Sequence, residues 1–218
     1  MTKYLILDFG KVLAGPTSRI HWFVTPEFLR KVDIKKIDID KFKSSIKSDI
    51  LDRKMMTLEE EYESFYEYYK ELFKKIDYTI EEEKIISIAK DFVYNDEKYT
   101  LYDNVKEDLP KLATKYTLLL LSDNWPSVYH FLDKEDISKF FTKIYISSEY
   151  GTKKEEGRFF DYPIKDFNIQ KREAIFIDDN DALLDIAEQK GLEVMLMDRE
   201  GKVKESKHCL INDFSKLI

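Results

Sequence analysis

Five short, mainly apolar runs that end at polar residues constrain the fold of this chain more than any other feature. Each run has four to six residues, which is the usual length of a buried β-strand. Between them lie segments with the three- and four-residue spacing of amphipathic helices. This alternation predicts an α/β fold, with a Rossmann-like parallel sheet and helices on both faces. The runs cover residues 4–7, 116–121, 143–146, 174–177 and 193–197.

The residues that follow these runs are mostly acids and hydroxyls. Ligands of parallel sheets bind beyond the carboxyl ends of the strands, because those ends meet at one edge of the sheet. Carboxylates and hydroxyls repeated at that edge indicate a functional site rather than simple strand termination. The residues concerned are Asp8, Ser122, Ser147, Ser148, Asp178 and Asp179.

A long helical stretch separates the first predicted strand from the others. Within it, Thr57 with Glu60 and Thr79 with Glu82 have the spacing of a capping box, and each pair predicts the start of a helix. Because the stretch interrupts the alternation of strands and helices, we predict that it is an insertion. The predicted α/β core comprises residues 1–15 and 97–218, and residues 16–96 form an α-helical cap over one edge of the sheet.

Composition narrows the class of protein. The 218 residues include 36 Lys and Arg against 43 Asp and Glu, a net charge of −7, so we expect no nucleic-acid partner. No run reaches the roughly 18 apolar residues that cross a membrane, so we expect no membrane partner. Cys209 is the only cysteine, which favours a reducing, cytoplasmic location. The pattern is compatible with a monomer or a homodimer.

Acidic residues at two strand ends are candidates for chemistry at phosphorus. Asp8, followed by a turn at Gly10, can act as a nucleophile, or it can simply cap that turn. Asp178 and Asp179 would meet Asp8 at the sheet edge, where three carboxylates repel one another unless a cation lies among them. Such oxygen ligands favour Mg²⁺. Alternatively, Asp178 and Asp179 cap the following helix.

Hydroxyl and amine groups complete this set of candidates. The Ser122 hydroxyl, with the backbone amides that follow from Asp123 onward, suits a phosphate oxygen at a helix start. A plain helix cap explains Ser122 equally well. Lys153 and Lys154 follow the third run, where a lysine could neutralise a phosphate and offset the crowding of carboxylates. A solvated lysine pair is the alternative.

Four segments, in this order, resemble the motifs of the haloacid dehalogenase-like (HAD) hydrolase superfamily. The first is YLILDFGKVL at 4–13, and the second is LLLLS at 118–122. The third is GTKK at 151–154, and the fourth is IFIDDN at 175–180. The resemblance spans residues 4 to about 198, with an insertion at the place of the family's helical (C1) cap.

The resemblance implies Mg²⁺-dependent hydrolysis of a small phosphomonoester, a sugar phosphate or similar metabolite, through an aspartyl-phosphate on Asp8. The implied catalytic residues are Asp8 and Lys154, and Lys153 is the fallback because the family's usual proline after the lysine is Glu155 here. The implied phosphate-binding residues are Ser122, Asp123 and Lys154. The implied metal ligands are Asp8, Gly10 through its carbonyl, Asp178 and Asp179.

One departure from the family pattern concerns proton transfer. The family's phosphatases usually carry a second Asp two residues after the nucleophile, as general acid and base, and this position is Gly10 here. General acid–base catalysis typically contributes about 10²–10⁴-fold to a rate. A similar glycine occurs in members related to sugar-1-phosphate phosphatases and to the phosphatase-like domain of epoxide hydrolases. We therefore expect good leaving groups: anomeric, acyl or aryl phosphates.

Two other functions are compatible with the same residues. One is a catalytically weak binding or regulatory protein with this fold, and the other is a 2-haloacid dehalogenase, which uses the Asp nucleophile without a metal. If the protein is an enzyme, a phosphatase or a dehalogenase, we expect the cap to determine its specificity. Arg19, His21 and Trp22, near the start of the insertion, are candidates for contact with the substrate.

Overall fold

A parallel β-sheet forms the centre of the computed structural model, which describes residues 2–18, 20–46, 50 and 53–218. The strands are β1 (Tyr4–Leu7), β2 (Ala14–Pro16), β3 (Tyr99–Leu101), β4 (Thr117–Ser122), β5 (Lys143–Ile146), β6 (Ala174–Asp178), β7 (Glu193–Met197) and β8 (Cys209–Ile211). Six of them form one sheet in the order β5-β4-β1-β6-β7-β8, with every pairing parallel. The predicted α/β fold is confirmed.

The central strands are buried on both faces, which explains their continuous apolar sequences. Strand β1 lies between β4 and β6, and Leu7 pairs with both Leu120 and Ile177. This register brings Asp8, the next residue, level with Asp178 at the carboxyl edge of the sheet. The acidic residues therefore meet because the strands are parallel and in register, as the sequence predicts.

Helices cover both faces of the sheet. They are α1 (Pro26–Lys31), α2 (Ile39–Ser45), α3 (Leu58–Lys75), α4 (Glu82–Tyr94), α5 (Val105–Lys115), α6 (Val128–Lys134), α7 (Ser147–Tyr150), α8 (Asp161–Asp166) and α9 (Asp181–Gln189). Helices α5 and α6 pack in one apolar cluster with Leu5 and Leu7. Leu184 and Ala187 of α9 pack with Ile6 in another, because successive side chains of a strand point to opposite faces.

The inserted helices α1 to α4 form a separate apolar cluster, which also contains Trp125 of the core. The capping box predicted at the start of α3 is confirmed, since Glu60 N donates to Thr57 Oγ1 at 3.2 Å and Thr57 N donates to Glu60 Oε2 at 3.2 Å. The prediction of a second capping box at Thr79 and Glu82 is wrong. Helix α4 begins at Glu82 itself, without a side-chain cap.

The insertion and the sheet are joined by a small ribbon. Strands β2 and β3 pair antiparallel, with Gly15 opposite Thr100, close to the two predicted domain boundaries at 15/16 and 96/97. The boundaries themselves stay a prediction. The sequence did not predict β2, β3 or β8, because runs of three residues carry too little periodicity to be recognised.

Two further observations concern the helices. Helix α5 continues through Pro110. Over the residues that the structure describes, no helix combines the length and the apolarity that a bilayer span requires.

Candidate active site

Three carboxylates meet at the carboxyl edge of the sheet. Asp8 follows β1, Asp178 ends β6, and Asp179 is the next residue. A carboxylate oxygen from each lies within 4.8 Å of the others. Asp8 is 6% exposed and Asp178 1% exposed, so their mutual repulsion is poorly screened by water. The predicted acidic cluster is therefore brought together by the fold.

Lys154 is the cation at the centre of this cluster. Its Nζ atom lies 2.8 Å from Asp8 Oδ1 and 2.6 Å from Asp178 Oδ2. Burial opposes its charge, but the carboxylates of Asp178 and Asp8 raise the pKa of Lys154 above its ordinary value. The side chain is therefore an ammonium. The other predicted lysine, Lys153, forms an ion pair with Glu155 at 2.7 Å.

A short turn of the chain positions Lys154. The turn spans Lys154–Glu156, and the backbone N of Lys154 donates to Asp123 Oδ1 at 3.1 Å. Asp123 comes from the loop after β4, so this bond joins two loops that both line the site. Burial raises the pKa of Asp123. Its carboxylate orients the lysine loop in this structure.

Asp178 and Asp179 have different hydrogen-bond partners. Burial raises the pKa of Asp178 to about 7 in spite of the nearby ammonium, and its Oδ1 accepts from Asn180 N at 3.0 Å. Asp179 Oδ2 accepts from Lys11 Nζ at 2.7 Å. Helix α9 is capped by Asn180, whose Oδ1 accepts from Ala182 N at 3.0 Å. Neither aspartate is therefore needed as the helix cap.

The donor set of the cluster fits a hard divalent cation. With all three carboxylates ionised, the ammonium groups of Lys154 and Lys11 leave one excess negative charge among these five groups. Both hydrogen bonds of the bridge between Gly10 and Ala14 use the neighbours of Gly10, so neither engages the Gly10 carbonyl. Closely spaced carboxylate and carbonyl oxygens are the ligands that Mg²⁺ takes.

The loop after β4 forms the next part of the site. Ser122 is 2% exposed and ends its strand beside a cavity of about 600 Å³. Asn124 N donates to Ser147 Oγ at 3.2 Å, and Asn124 Oδ1 accepts from Tyr99 Oη at 3.1 Å. These bonds fix the loop next to Ser122.

Trp22 occupies the space beside Gly10. A Cβ atom on Gly10 would lie 3.5 Å from Trp22 Cζ2 and 3.7 Å from Asp8 Oδ2. Both are ordinary contact distances, so the small residue is not required by close packing. The indole of Trp22 therefore flanks the position at which the family's phosphatases usually carry a second aspartate.

The charged residues that line the cavity come from the sheet edge and its loops, which form its polar floor, whereas the lining residues of the insertion are uncharged or aromatic. Most of the predicted site residues line it. The exceptions are Ser147, Ser148 and Asp178, and Asp178 contacts the lining residue Lys154 at 2.6 Å. His21 and Trp22 also line it, whereas Arg19 lies outside the described residues. Sequence reasoning did not single out several other lining residues, because nothing local distinguishes them from packing positions. These are Phe9, Phe23, Ile46, Phe92, Tyr99, Asn124 and Trp125.

Comparison with known proteins assigns the family. Residues 31–197 match the family model described as haloacid dehalogenase-like hydrolase, which covers more than half of the chain. The match begins after Asp8, so the first motif is supported by the geometry of the site and not by this alignment. No curated protein sequence matches the chain at a significant level.

Solved structures share the fold at low sequence identity. The HAD-hydrolase YfnB from Bacillus subtilis, bound to magnesium, has a TM-score of 0.71 with 16% identity, over 99% of this chain and 96% of that one. A HAD phosphatase from Thermococcus onnurineus has a TM-score of 0.66 with 17% identity, over 99% and 96%. L-2-haloacid dehalogenase from Xanthobacter autotrophicus has 0.68 with 13% identity, over 100% and 97%. At these identities the likeness concerns the fold alone.

Proposed function

Because the chain belongs to the haloacid dehalogenase-like hydrolase family, we propose that it hydrolyses a small phosphomonoester through an aspartyl-phosphate on Asp8. The supporting observation is the ion pair of Asp8 with the buried ammonium of Lys154, beside two further carboxylates and at the floor of a cavity. A carboxylate oriented in this way, next to a pocket of about 600 Å³, suits attack on a small phosphate ester.

The reaction divides between Asp8 and water. An oxygen of Asp8 attacks phosphorus, and the ester P–O bond breaks with its electron pair going to the leaving oxygen. That oxygen takes a proton from solvent. Water then attacks the phosphorus of the aspartyl-phosphate, which releases inorganic phosphate and restores the carboxylate. Lys154 holds Asp8 in orientation through its 2.8 Å contact and offsets the negative charge that accumulates.

The loop from Ser122 to Asn124 is the proposed binding site for the phosphoryl oxygens. Ser122 and Asp123 line the cavity together with Lys154, and the Ser122 hydroxyl and the Asp123 amide are the proposed donors, since the Asn124 amide already donates to Ser147 Oγ. Asp123 Oδ1 accepts a hydrogen bond from the Lys154 amide, which keeps the turn at 154–156 next to this loop. Preorganised donors of this type stabilise the charge of a transferring phosphoryl group.

Mg²⁺ is the proposed cofactor, held by the carboxylates of Asp8, Asp178 and Asp179 and by the carbonyl of Gly10. When bound, it supplies positive charge that offsets repulsion between these carboxylates and the substrate. Two similar solved structures were obtained with magnesium, those of YfnB and of the HAD family enzyme bt-2542 from Bacteroides thetaiotaomicron. Lys11 completes the proposed charge balance at Asp179.

Phosphate release from a panel of aryl, acyl and sugar phosphates tests the proposal. With Mg²⁺ present, we expect turnover of at least one class, loss of turnover with EDTA, and a loss of about 10⁴-fold or more in Asp8→Asn, as for other covalent nucleophiles. Activity of Asp8→Asn close to that of the wild type would contradict the role of Asp8. No turnover, together with retained phosphate binding, would favour a binding or regulatory protein.

Gly10 also favours a second candidate, a 2-haloacid dehalogenase. A halide leaves without a proton, so the missing acid at this position would be no handicap, and the fold is shared with solved dehalogenases. The clustered carboxylates argue against it, because such an enzyme needs no cation among them. Chloride release from 2-chloropropionate in the presence of EDTA separates the two candidates, and we expect none.

A further inference from the structure

The cavity is divided by charge. The charged side chains among its described lining residues all come from the core, at the polar floor. The side facing them carries no carboxylate or ammonium, and burial lowers the pKa of His21, which keeps its imidazole neutral at pH 7. The part of a ligand that lies away from the phosphoryl group therefore meets an uncharged surface.

Five rings that line the cavity form a packed set, which we name the aromatic wall. Phe23 lies 5.7 Å from Trp125 and 5.9 Å from Phe92, and Trp22 lies 6.0 Å from Tyr99, all between ring centroids. Because these rings pack on one another, the wall is held in place before any ligand binds. Its members are Trp22, Phe23, Phe92, Tyr99 and Trp125.

The aromatic wall offers few hydrogen bonds to a polar ligand: within the described part of the chain it holds one buried donor without a partner, Trp125 Nε1, and its other polar atoms include groups that are already engaged. The Tyr99 hydroxyl already donates to Asn124 Oδ1 at 3.1 Å, and His21 Nδ1 already accepts from Phe23 N at 3.3 Å. A sugar has several hydroxyls, and these would lose their bonds to water without full replacement, which is unfavourable. A planar apolar group would lose no hydrogen bonds to water, and it would bury its faces against the rings.

The position of Trp22 connects this wall to the reacting centre. Its Cζ2 atom lies 3.5 Å from the place of a Cβ on Gly10, and that place is 3.7 Å from Asp8 Oδ2. A ring of the wall therefore lies beside the position at which the family's phosphatases usually carry the acid that protonates the leaving group. Phenols have a pKa near 10, the value of tyrosine, so a phenolate departs without the protonation that an alkoxide requires.

We propose that the substrate is an aryl phosphate monoester whose aromatic leaving group lies against Trp22 and the rest of the aromatic wall. This inference rests on the proposed phosphatase function and adds its substrate class. The aryl oxygen takes the electron pair of the breaking P–O bond and is protonated by water after departure. The wall and the missing acid at Gly10 support the same class by separate arguments, one of binding and one of chemistry.

A matched set of esters tests the substrate class. 2-Naphthyl phosphate and phenyl phosphate have leaving groups of similar acidity but different apolar area, and glucose 1-phosphate has a polar leaving group. We expect kcat/KM to be about tenfold higher for the naphthyl than for the phenyl ester, through KM, because the second ring is buried. Glucose 1-phosphate should be the poorest of the three. The reverse order, with glucose 1-phosphate preferred and activity lost in Asp8→Asn, would overturn the aryl class and leave the phosphatase intact.

Variants of Trp22 test the wall itself. We expect Trp22→Leu to raise KM for 2-naphthyl phosphate about 5–10-fold, and Trp22→Phe to raise it less, because a ring is retained. Tyr94→Leu is the control, since Tyr94 is an exposed aromatic residue of the cap outside the cavity. Thermal unfolding of each variant identifies any that fails to fold. Equal KM values in Trp22→Leu and Trp22→Phe would contradict the stacking.

A binding measurement separates failure of this inference from failure of the proposed function. Asp8→Asn, titrated by calorimetry in Mg²⁺, should bind 2-naphthyl phosphate at least about tenfold more tightly than inorganic phosphate. If no ester is hydrolysed by the wild type, the phosphatase proposal fails while this titration still tests the wall. Equal affinity for the two ligands would overturn the aryl inference whatever the activity.

Discussion

The Nζ atom of Lys154 lies 2.8 Å from Oδ1 of Asp8, and both side chains are almost fully buried. The contact joins the end of β1 to a turn far along the chain, and its geometry orients the proposed nucleophile. The same ammonium also contacts Asp178. One ammonium group therefore contacts two buried carboxylates. Its removal would leave both of them without a positive partner.

Loss of this cation should destabilise the fold. We expect Lys154→Met to lower the free energy of unfolding by about 3–5 kcal/mol, because breaking a buried ion pair leaves an uncompensated charge. The control is Lys36→Met, because Lys36 and its ion-pair partner Asp33 are both exposed, with an expected loss below about 1 kcal/mol. Urea denaturation without Mg²⁺ measures both. Equal losses in the two variants would contradict the central position of Lys154.

An acid at residue 10 should broaden the range of leaving groups. The Cβ of Gly10→Asp fits at ordinary contact distances from Trp22 and Asp8, so we expect a folded protein. For an alkyl phosphate, kcat/KM should rise about 10–100-fold, within the usual contribution of general acid catalysis. Gly10→Asn is the control without a proton to give. A similar change in both variants would mean that proton transfer is not what Gly10 lacks.

Mg²⁺ should stabilise the protein through the carboxylates at the sheet edge. A ligand present at about 100 times its Kd adds about 2.7 kcal/mol to the free energy of unfolding, and we expect a matching rise in Tm with added Mg²⁺. Asp179→Asn should lose most of this increment. Asp185→Asn is the control, because Asp185 belongs to a different cluster with Glu188 and His208. Loss of the increment in the control alone would assign the ion to that cluster.

A buried lysine at the junction of cap and core should give a pH-dependent stability. Lys98 is 3% exposed and donates to Ser127 Oγ at 2.8 Å, while Ser127 N donates to Glu61 Oε2 at 2.7 Å. Burial lowers the pKa of Lys98 from 10.5 to about 8, although Glu61, Asp96 and Asp91 oppose the shift. Folding therefore releases a proton from Lys98 between these two values.

The sign of the effect follows from proton counting. Between pH 8 and 10.5 the unfolded chain holds more protons at Lys98 than the folded one, so the contribution of Lys98 to stability rises with pH. The slope is up to about 1.4 kcal/mol per pH unit. We expect the unfolding free energy of the wild type minus that of Lys98→Met to increase over this range. Denaturation curves at each pH measure it, and a constant or falling difference would contradict the shift.

Much of the candidate site could be predicted from the sequence because it depends on strand ends. Asp8, Ser122 and Asp178 each end or follow an apolar run, and parallel strands in register bring such positions to one edge. The haloacid dehalogenase-like resemblance, drawn from four short motifs, is confirmed by the family match. The roles of the individual site residues stay predictions, to be tested by the variants above.

Other features could not be predicted because they depend on contacts between distant segments. Lys153 and Lys154 are equivalent in sequence, and the turn at 154–156 decides which of them is directed to Asp8. The predicted capping box at Thr79 failed because the chain enters α4 at Glu82 without using that side chain.

The sequence by itself determined the α/β fold and the acidic edge of the sheet. Apolar periodicity and polar residues at strand ends are local patterns, which do not depend on how the helices and strands pack. Only the tertiary structure decided that Lys154 is the buried cation and that Trp22 lies beside Gly10. Both depend on how the lysine turn and the inserted helices pack against the sheet. That packing depends on the burial of many apolar side chains together, so it cannot be predicted from any single motif.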